Sequence, residues 1–340
     1  MRALFLFLIG ILLVLLGLEV VCRILPVSTA TRTGYYIHPQ ILTYPPNHCF
    51  TNSMGWDLRN AQSHCANNVG FPADRDFSYN PQAIALIGDS FVEANYLPIR
   101  LRLAAQLEIK LADKPVYAMG GPGSSLLDYA MRARYAASNF GIKTFIFVLT
   151  RADVREALCG SGNIHGPCID SLTLEPKLDL QQPPGLLKRL ARESAAAQYI
   201  FSQLKFNLSG VLASLRGSDS SSKTVTARTL PPEMATMRVV QEFFEQMSTI
   251  NEAKYYFVID PDRVNFYDPK INTPELEQFR KAALINGAIE VDPTPAFQHF
   301  VSTSGLVLEI GPYDKHWNAE AVRLVADSIA QRMLTRAAER

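Results

Sequence analysis

The chain has 340 residues, 48% hydrophobic and 19% charged, a globular balance with length enough for one large domain. Its 33 Lys and Arg offset 32 Asp and Glu, so there is no electrostatic case for a nucleic-acid partner. Leu4 to Val21 is almost continuously apolar, broken only by Gly10, Gly17 and Glu19. At ~1.5 Å rise per residue this run nearly crosses a ~30 Å hydrocarbon core. A secretory signal ending at Ser28-Thr29-Ala30 is the competing reading. The run exceeds the ~7–15 residues usual for a signal, which favours an uncleaved anchor at 1–25. Glu19, near the end of the span, can pair with Arg23. Arg2 favours a cytoplasmic amino terminus, and Arg23 and Arg32 on the other flank weaken that bias.

Cys22 sits at the membrane boundary. The other four cysteines fall into two close pairs, Cys49 with Cys65 and Cys159 with Cys168. This pattern suggests two small-loop disulfides and an oxidising compartment, with four free thiols as the alternative. Neither spacing suits zinc, and no metal or organic cofactor is implied. The simplest placement is a single-pass protein of the cytoplasmic membrane with its main domain in a bacterial periplasm.

Residues 26–80 read as an extended lead-in with short strands around Tyr35–Ile37 and Val69–Phe71. Ala83-Ile84-Ala85-Leu86-Ile87 is the first firm strand, and Gly88-Asp89-Ser90 follows it directly. Arg100 to Leu111 has helical periodicity, and Val116-Tyr117-Ala118 is a short strand. Met119-Gly120-Gly121-Pro122-Gly123 is a glycine turn. Ser125 to Phe140 is a helix and Thr144 to Leu149 a buried strand. Residues 160–232 interrupt the rhythm as an insertion, helical over Leu186 to Leu215, with a Ser-rich loop at Gly217–Lys223 and an Asn207-Leu208-Ser209 acceptor pattern without meaning in this setting. A helix opens at Pro231-Pro232, its Met234, Met237, Val240, Phe244 and Met247 read as core. Tyr255 to Ile259 and Ala288 to Val291 are strands, Pro274 to Leu284 and Ala319 to Leu334 helices. Strands alternating with helices argue for a three-layer α/β domain with a mainly parallel sheet.

A buried strand ending in Gly-Asp-Ser presents a hydroxyl at the carboxyl end of a sheet, where open α/β folds place ligands. Asp314-Lys315-His316-Trp317-Asn318 precedes the last helix. Together they suggest a nucleophilic Ser90, a base in His316 and an orienting acid in Asp314. His38, His48, His64, His165 and His299 show no paired motif and read as structural or surface residues.

These blocks, in this order, resemble the SGNH/GDSL hydrolases over about residues 70–340. The resemblance implies a flavodoxin-like α/β/α fold at 81–340 carrying the insertion 160–232. It implies a nucleophile at Ser90 and an oxyanion hole formed by the N–H groups of Ser90 and Gly120. Asp89, Thr150, Arg151, Asp153 and Trp317 become supporting candidates. The spacing Asp314-x-His316-Trp317 is similar to the form seen in the alginate-acetylation branch. One departure stands out: the third block usually places Asn before an Asp, whereas this chain has Ala152 before Asp153. Loss of one oxyanion donor costs ~2.7–4 kcal/mol, or ~10²–10³ in rate. The implied activity is a serine esterase acting on O-acylated envelope glycans or related esters. An O-acyltransferase of the same fold, or a catalytically weakened scaffold for envelope binding or assembly, are the alternatives.

Overall fold

A computed structural model describes residues 2–30, 32–162, 164–204, 232–261, 263, 274–311 and 314–338. They form two units. The first holds the described residues of Met1–Arg32, Cys49–Cys65 and Gln182–Ala227; the second holds those of Thr33–His48, Ala66–Gln181 and Arg228–Arg340. Residues 26–80 and 160–232 therefore each contribute to both.

In the first unit, α1 (Arg2–Ile24) is apolar and largely exposed, with Cys22 buried and Leu18 and Glu19 partly covered. With a mean hydropathy of 3.0 over its best window, it is long and apolar enough to cross a membrane, as a span or as a signal sequence. Strands β1 (Cys49–Met54) and β2 (Arg59–Cys65) pair antiparallel, and a disulfide joins the facing Cys49 and Cys65. Both strands are largely polar, so no apolar alternation marks them in the sequence, and they replace part of the expected extended lead-in. The insertion supplies a helix over Leu186–Glu193 and further helical turns over Ala195–Ala197 and Gln198–Gln203. Its expected continuation to Leu215, the Ser-rich loop and the Asn207 pattern lie outside the described residues.

The second unit is built on a parallel sheet. Its strands are β3 (Ile84–Gly88), β4 (Val116–Gly120), β5 (Thr144–Leu149), β8 (Lys254–Ile259) and β9 (Ile289–Val291), in the order β4-β3-β5-β8-β9. Counting only these five strands along the chain, the order is 2-1-3-4-5, the flavodoxin-like arrangement, and it reverses direction at β3. The period of two divides the core. Ile84, Leu86, Ile146 and Val148 face the layer formed by helices Leu103–Lys110, Thr294–Ser304 and Ala319–Ala338. Ala85, Ile87, Phe145 and Phe147 face helices Leu126–Phe140, Pro232–Met247 and Pro274–Ile285. Two short antiparallel pairs complete the unit: β6 (Pro167–Ile169) with β7 (Pro176–Leu178), and β10 (Glu309–Gly311) with β11 (Asp314–Trp317). A disulfide joins Cys159 to Cys168.

Several expected elements differ. No strand forms at Tyr35–Ile37; the nearest pairing is a single bridge, Gly34 to Thr43. None forms at Val69–Phe71, because the Asn67 side chain accepts from the N–H groups of Val69 (3.1 Å) and Phe71 (3.0 Å), folding the segment into a turn. The helix expected over Arg100–Leu111 breaks into a 3₁₀ turn, Ile99–Leu101, and an α-helix, Leu103–Lys110. Arg102 between them is extended and buried. Its guanidinium donates to Leu97 O (3.2 Å) and Pro72 O (2.8 Å), a geometry the uninterrupted helix would not give it. In Pro232–Met247, Met234 and Met237 are exposed, and Ala235, Val239 and Phe243 hold the core positions beside Val240, Phe244 and Met247. The helix Thr294–Ser304 is an addition: Asp292-Pro293 reads as a stop in sequence, but Pro293 precedes a helix with Pro295 in its first turn.

The two disulfides leave one free cysteine, Cys22. Alkylation of the denatured, unreduced chain should therefore modify one cysteine. Mass mapping that finds five modified residues would refute both pairings.

Candidate active site

The site begins where β3 runs out. Gly88 ends the strand with no room for a side chain: a Cβ there would lie 2.6 Å from Val92 Cγ2 and 3.0 Å from Val148 O. Asp89 then caps a single helical turn, Ser90–Glu93, by accepting from Phe91 N at 2.8 Å. Ala94 closes that turn in the left-handed region, its N–H donating to Ser90 O at 2.9 Å. Ser90 is thus held at the carboxyl end of the sheet's first strand, at the topological switch point.

From the other end of the chain, β11 brings Asp314 and His316 to Ser90. Asp314 Oδ1 accepts from the backbone N–H of His316 at 2.9 Å and lies 2.6 Å from His316 Nδ1. A carboxylate only accepts, so it holds the imidazole proton on Nδ1 and leaves the Nε2 lone pair for the Ser90 hydroxyl, 2.7 Å away. Burial pushes the Asp314 carboxyl up, but the side-chain and backbone hydrogen bonds from His316 outweigh it, and its pKa ends below the ordinary value. The rings of Phe91 and Tyr96 lie 4.9 and 4.7 Å from the imidazole.

Trp317 is fully buried beneath this arrangement. It meets Phe91 edge-on at 5.0 Å and donates to Asp260 Oδ1 at 2.6 Å. Arg263 donates to the same Asp260 oxygen and to the carbonyl of Lys315, which sits between the acid and the base.

Gly120 ends β4 in register with Gly88. A Cβ on it would lie 2.2 Å from Glu93 N, so only glycine lets β4 approach the turn that carries Ser90. After β5, Thr150 is committed elsewhere. Its N–H and hydroxyl both donate to the Asp153 carboxylate, at 2.8 and 2.5 Å, and Tyr129 OH donates to it at 2.8 Å. Thr150 could turn toward Ser90 only by giving up Asp153. Arg151 is exposed, and Ala152 opens the turn Asp153–Glu156 with no side-chain cap.

Arg132 belongs to no motif of the sequence. It lies in the buried arc of helix Leu126–Phe140 and donates to Gly88 O (3.0 Å), Met119 O (3.2 Å) and Ser124 Oγ (2.6 Å), tying the ends of β3 and β4 together. An arginine phased with Leu126, Tyr129 and Ala133 on an amphipathic helix is the signal that marks it. Asp260, Arg263 and Tyr96 carry no such signal, because only the fold brings them to the segment Lys315–Trp317. The remaining histidines lie outside this cluster; His165 pairs with Asp179 at 2.7 Å. Among the described residues no group of three or more His, Cys, Asp or Glu is placed to hold a metal ion.

Three acids of this unit are buried: Asp89, Glu93 and Asp153. Burial, then the charge of Asp153, pushes Asp89 well above the usual range. Burial raises Asp153 to about 7 against its hydrogen bonds from Thr150 and Tyr129. Burial likewise raises Glu93 to about 7, although Tyr44 OH donates to it at 2.5 Å. For Glu93 and Asp153 the folded values exceed the ordinary 4.5 and 3.8, so the folded chain binds more protons than the unfolded one between them. Their stabilisation is complete below the unfolded values and is lost as pH rises through about 7. The denaturation midpoint should therefore fall between about pH 5 and 8, and Glu93→Gln should flatten the fall. A midpoint that climbs across that window would contradict the buried, protonated acids.

No protein-family model and no curated protein matches the chain. Among solved structures it is similar to a lipolytic protein of the G-D-S-L family from Veillonella parvula, at 12% identity and a TM-score of 0.42, covering 75% of this chain and 98% of that one. It is similar to the psychrotrophic esterase EstA from Pseudoalteromonas sp., at 11% identity and a TM-score of 0.37, covering 75% and 98%. It is also similar to a carbohydrate esterase family 2 enzyme from Corynascus thermopiles, at 9% identity and a TM-score of 0.37, covering 81% and 70%. These likenesses are distant.

Proposed function

We propose that the chain is a serine esterase acting through an acyl-enzyme at Ser90. The observation that carries this reading is the hydrogen-bonded series Asp314–His316–Ser90, at 2.6 and 2.7 Å. His316 Nε2 takes the hydroxyl proton as Ser90 Oγ attacks an ester carbonyl, and Asp314 stabilises the imidazolium that forms. The N–H groups of Ser90 and Gly120 receive the oxyanion. The leaving alcohol takes the proton back from His316, and water repeats the sequence to release the acid. Transfer to a sugar hydroxyl instead of water would make the same site an O-acyltransferase. The paired cysteines and the apolar α1 support an uncleaved anchor in the cytoplasmic membrane with the site in the periplasm, where O-acylated envelope glycans are the substrates proposed.

A weakened scaffold is the second reading, favoured by Ala152 and by the commitment of Thr150 to Asp153. A fluorophosphonate separates the two. The full-length protein in detergent should be phosphonylated on the peptide containing Ser90, and not at all as His316→Ala. A folded chain that resists the reagent would favour the scaffold.

A further inference from the structure

The helix Leu186–Glu193 has two faces of opposite character. Leu186, Leu187, Leu190 and Ala191 fill one arc; Lys188, Arg189, Arg192 and Glu193 fill the other. The three leucines are 70%, 83% and 59% exposed. Such a face is costly in water unless something apolar covers it.

The first unit indicates what that is. Glu19 of α1 accepts from Ser194 Oγ (2.7 Å), Ala195 N (3.1 Å) and Ala196 N (3.0 Å), so an anchor side chain caps the helical turn that follows. Arg23 donates to Glu193 O at 3.2 Å, and Arg32 Nη2 donates to both oxygens of the Glu193 carboxylate, at 2.9 and 2.8 Å. Glu19 lies about 7–8 Å, measured along the axis, inside the carboxyl end of α1. The carboxyl end of helix Leu186–Glu193 is thereby fixed at the level where a spanning α1 leaves the hydrocarbon. Interfacial amphipathic helices bury their apolar face ~5–10 Å into that boundary, with cationic residues toward the headgroups.

We propose that Leu186–Glu193 lies in the membrane interface as a second contact. Its leucine face enters the acyl boundary, and Lys188, Arg189 and Arg192 meet anionic headgroups. This rests on the reading of α1 as a membrane span. It also makes α1 part of the fold, because a cleaved chain would lose Glu19 as the cap.

The test uses the full-length protein with Cys22→Ser, reconstituted into phosphatidylcholine–phosphatidylglycerol vesicles. An environment-sensitive fluorophore is attached at Leu12→Cys, Leu187→Cys, Leu190→Cys or Lys188→Cys in turn. Lipids brominated on their acyl chains should quench the probes at positions 12, 187 and 190 several-fold more than the probe at 188. Omitting phosphatidylglycerol should weaken quenching at 187 and 190 but not at 12. Quenching at 12 with none at 187 and 190 beyond that at 188 overturns the proposal and leaves the span intact. Absence at all sites overturns both. Blue-shifted emission at 187 without quenching means that protein covers the leucines, which also overturns it. Quenching indifferent to phosphatidylglycerol overturns the headgroup contact.

Discussion

Ser90→Ala and His316→Ala are each expected to lower kcat for a short-chain aryl ester by roughly 10⁴–10⁶-fold, and the double variant is expected to be no worse than either alone. Non-additivity follows from the geometry. The Ser90 hydroxyl is a weak nucleophile without the Nε2 lone pair 2.7 Å away, and that lone pair has no role without the hydroxyl. Asp314→Asn probes the next link. The carboxylate holds the proton on Nδ1, whereas an amide N–H₂ turned toward Nδ1 would drive the proton to Nε2 and remove the base. A loss of about 10⁴ in kcat is expected, with stability nearly unchanged. Steady-state kinetics on the detergent-solubilised chain checks all four variants. Multiplicative losses in the double variant would mean that Ser90 and His316 do not act as one unit.

Gly120→Ala is expected to damage both rate and fold. The added Cβ would meet Glu93 N at 2.2 Å, Glu93 Cα at 2.7 Å and Val92 C at 2.8 Å. All three are backbone atoms of the turn Ser90–Glu93, so no rotamer change relieves the clash. Either β4 or the turn must move. Both movements shift the Gly120 N–H relative to Ser90 Oγ. With Ala152 offering no side-chain donor and Thr150 held by Asp153, the proposed oxyanion hole rests on its backbone donors. We expect kcat/KM to fall ~10²–10³-fold, with overpacking costing about 1–3 kcal/mol. Gly10→Ala, in the exposed helix α1 where a Cβ meets nothing within 4 Å, is the control and should change neither. Denaturant titration and ester hydrolysis measured together decide the matter. Full activity in Gly120→Ala would remove Gly120 from the oxyanion hole.

The sheet was legible because its strands are buried on both faces. Runs such as Ile84–Ile87 and Phe145–Leu149 must be apolar throughout, and a continuous apolar run between helical periods is hard to misread. The hairpin Cys49–Cys65 was not legible. Its ladder is held by backbone hydrogen bonds and a disulfide, and polar side chains leave no alternation to detect. The break at Arg102 was hidden for a related reason: the acceptors for its guanidinium, Pro72 O and Leu97 O, lie outside any helical period.

Local order alone determined the Ser90 turn and the pairing of Asp314 with His316. A Gly-Asp-Ser after a buried strand, and an acid two residues before a histidine, are contacts made within a few residues. The rest was decided by tertiary structure. Ser90 and His316 are 226 positions apart, and only the parallel sheet and the β10–β11 pair bring them together. The hold of Arg132 on the ends of β3 and β4, the Asp260 anchor for Trp317, and the commitment of Thr150 to Asp153 are likewise contacts of the folded chain. They are polar groups buried in one another's company. No sequence period records them, because a buried donor needs its acceptor nearby in space and not in the chain.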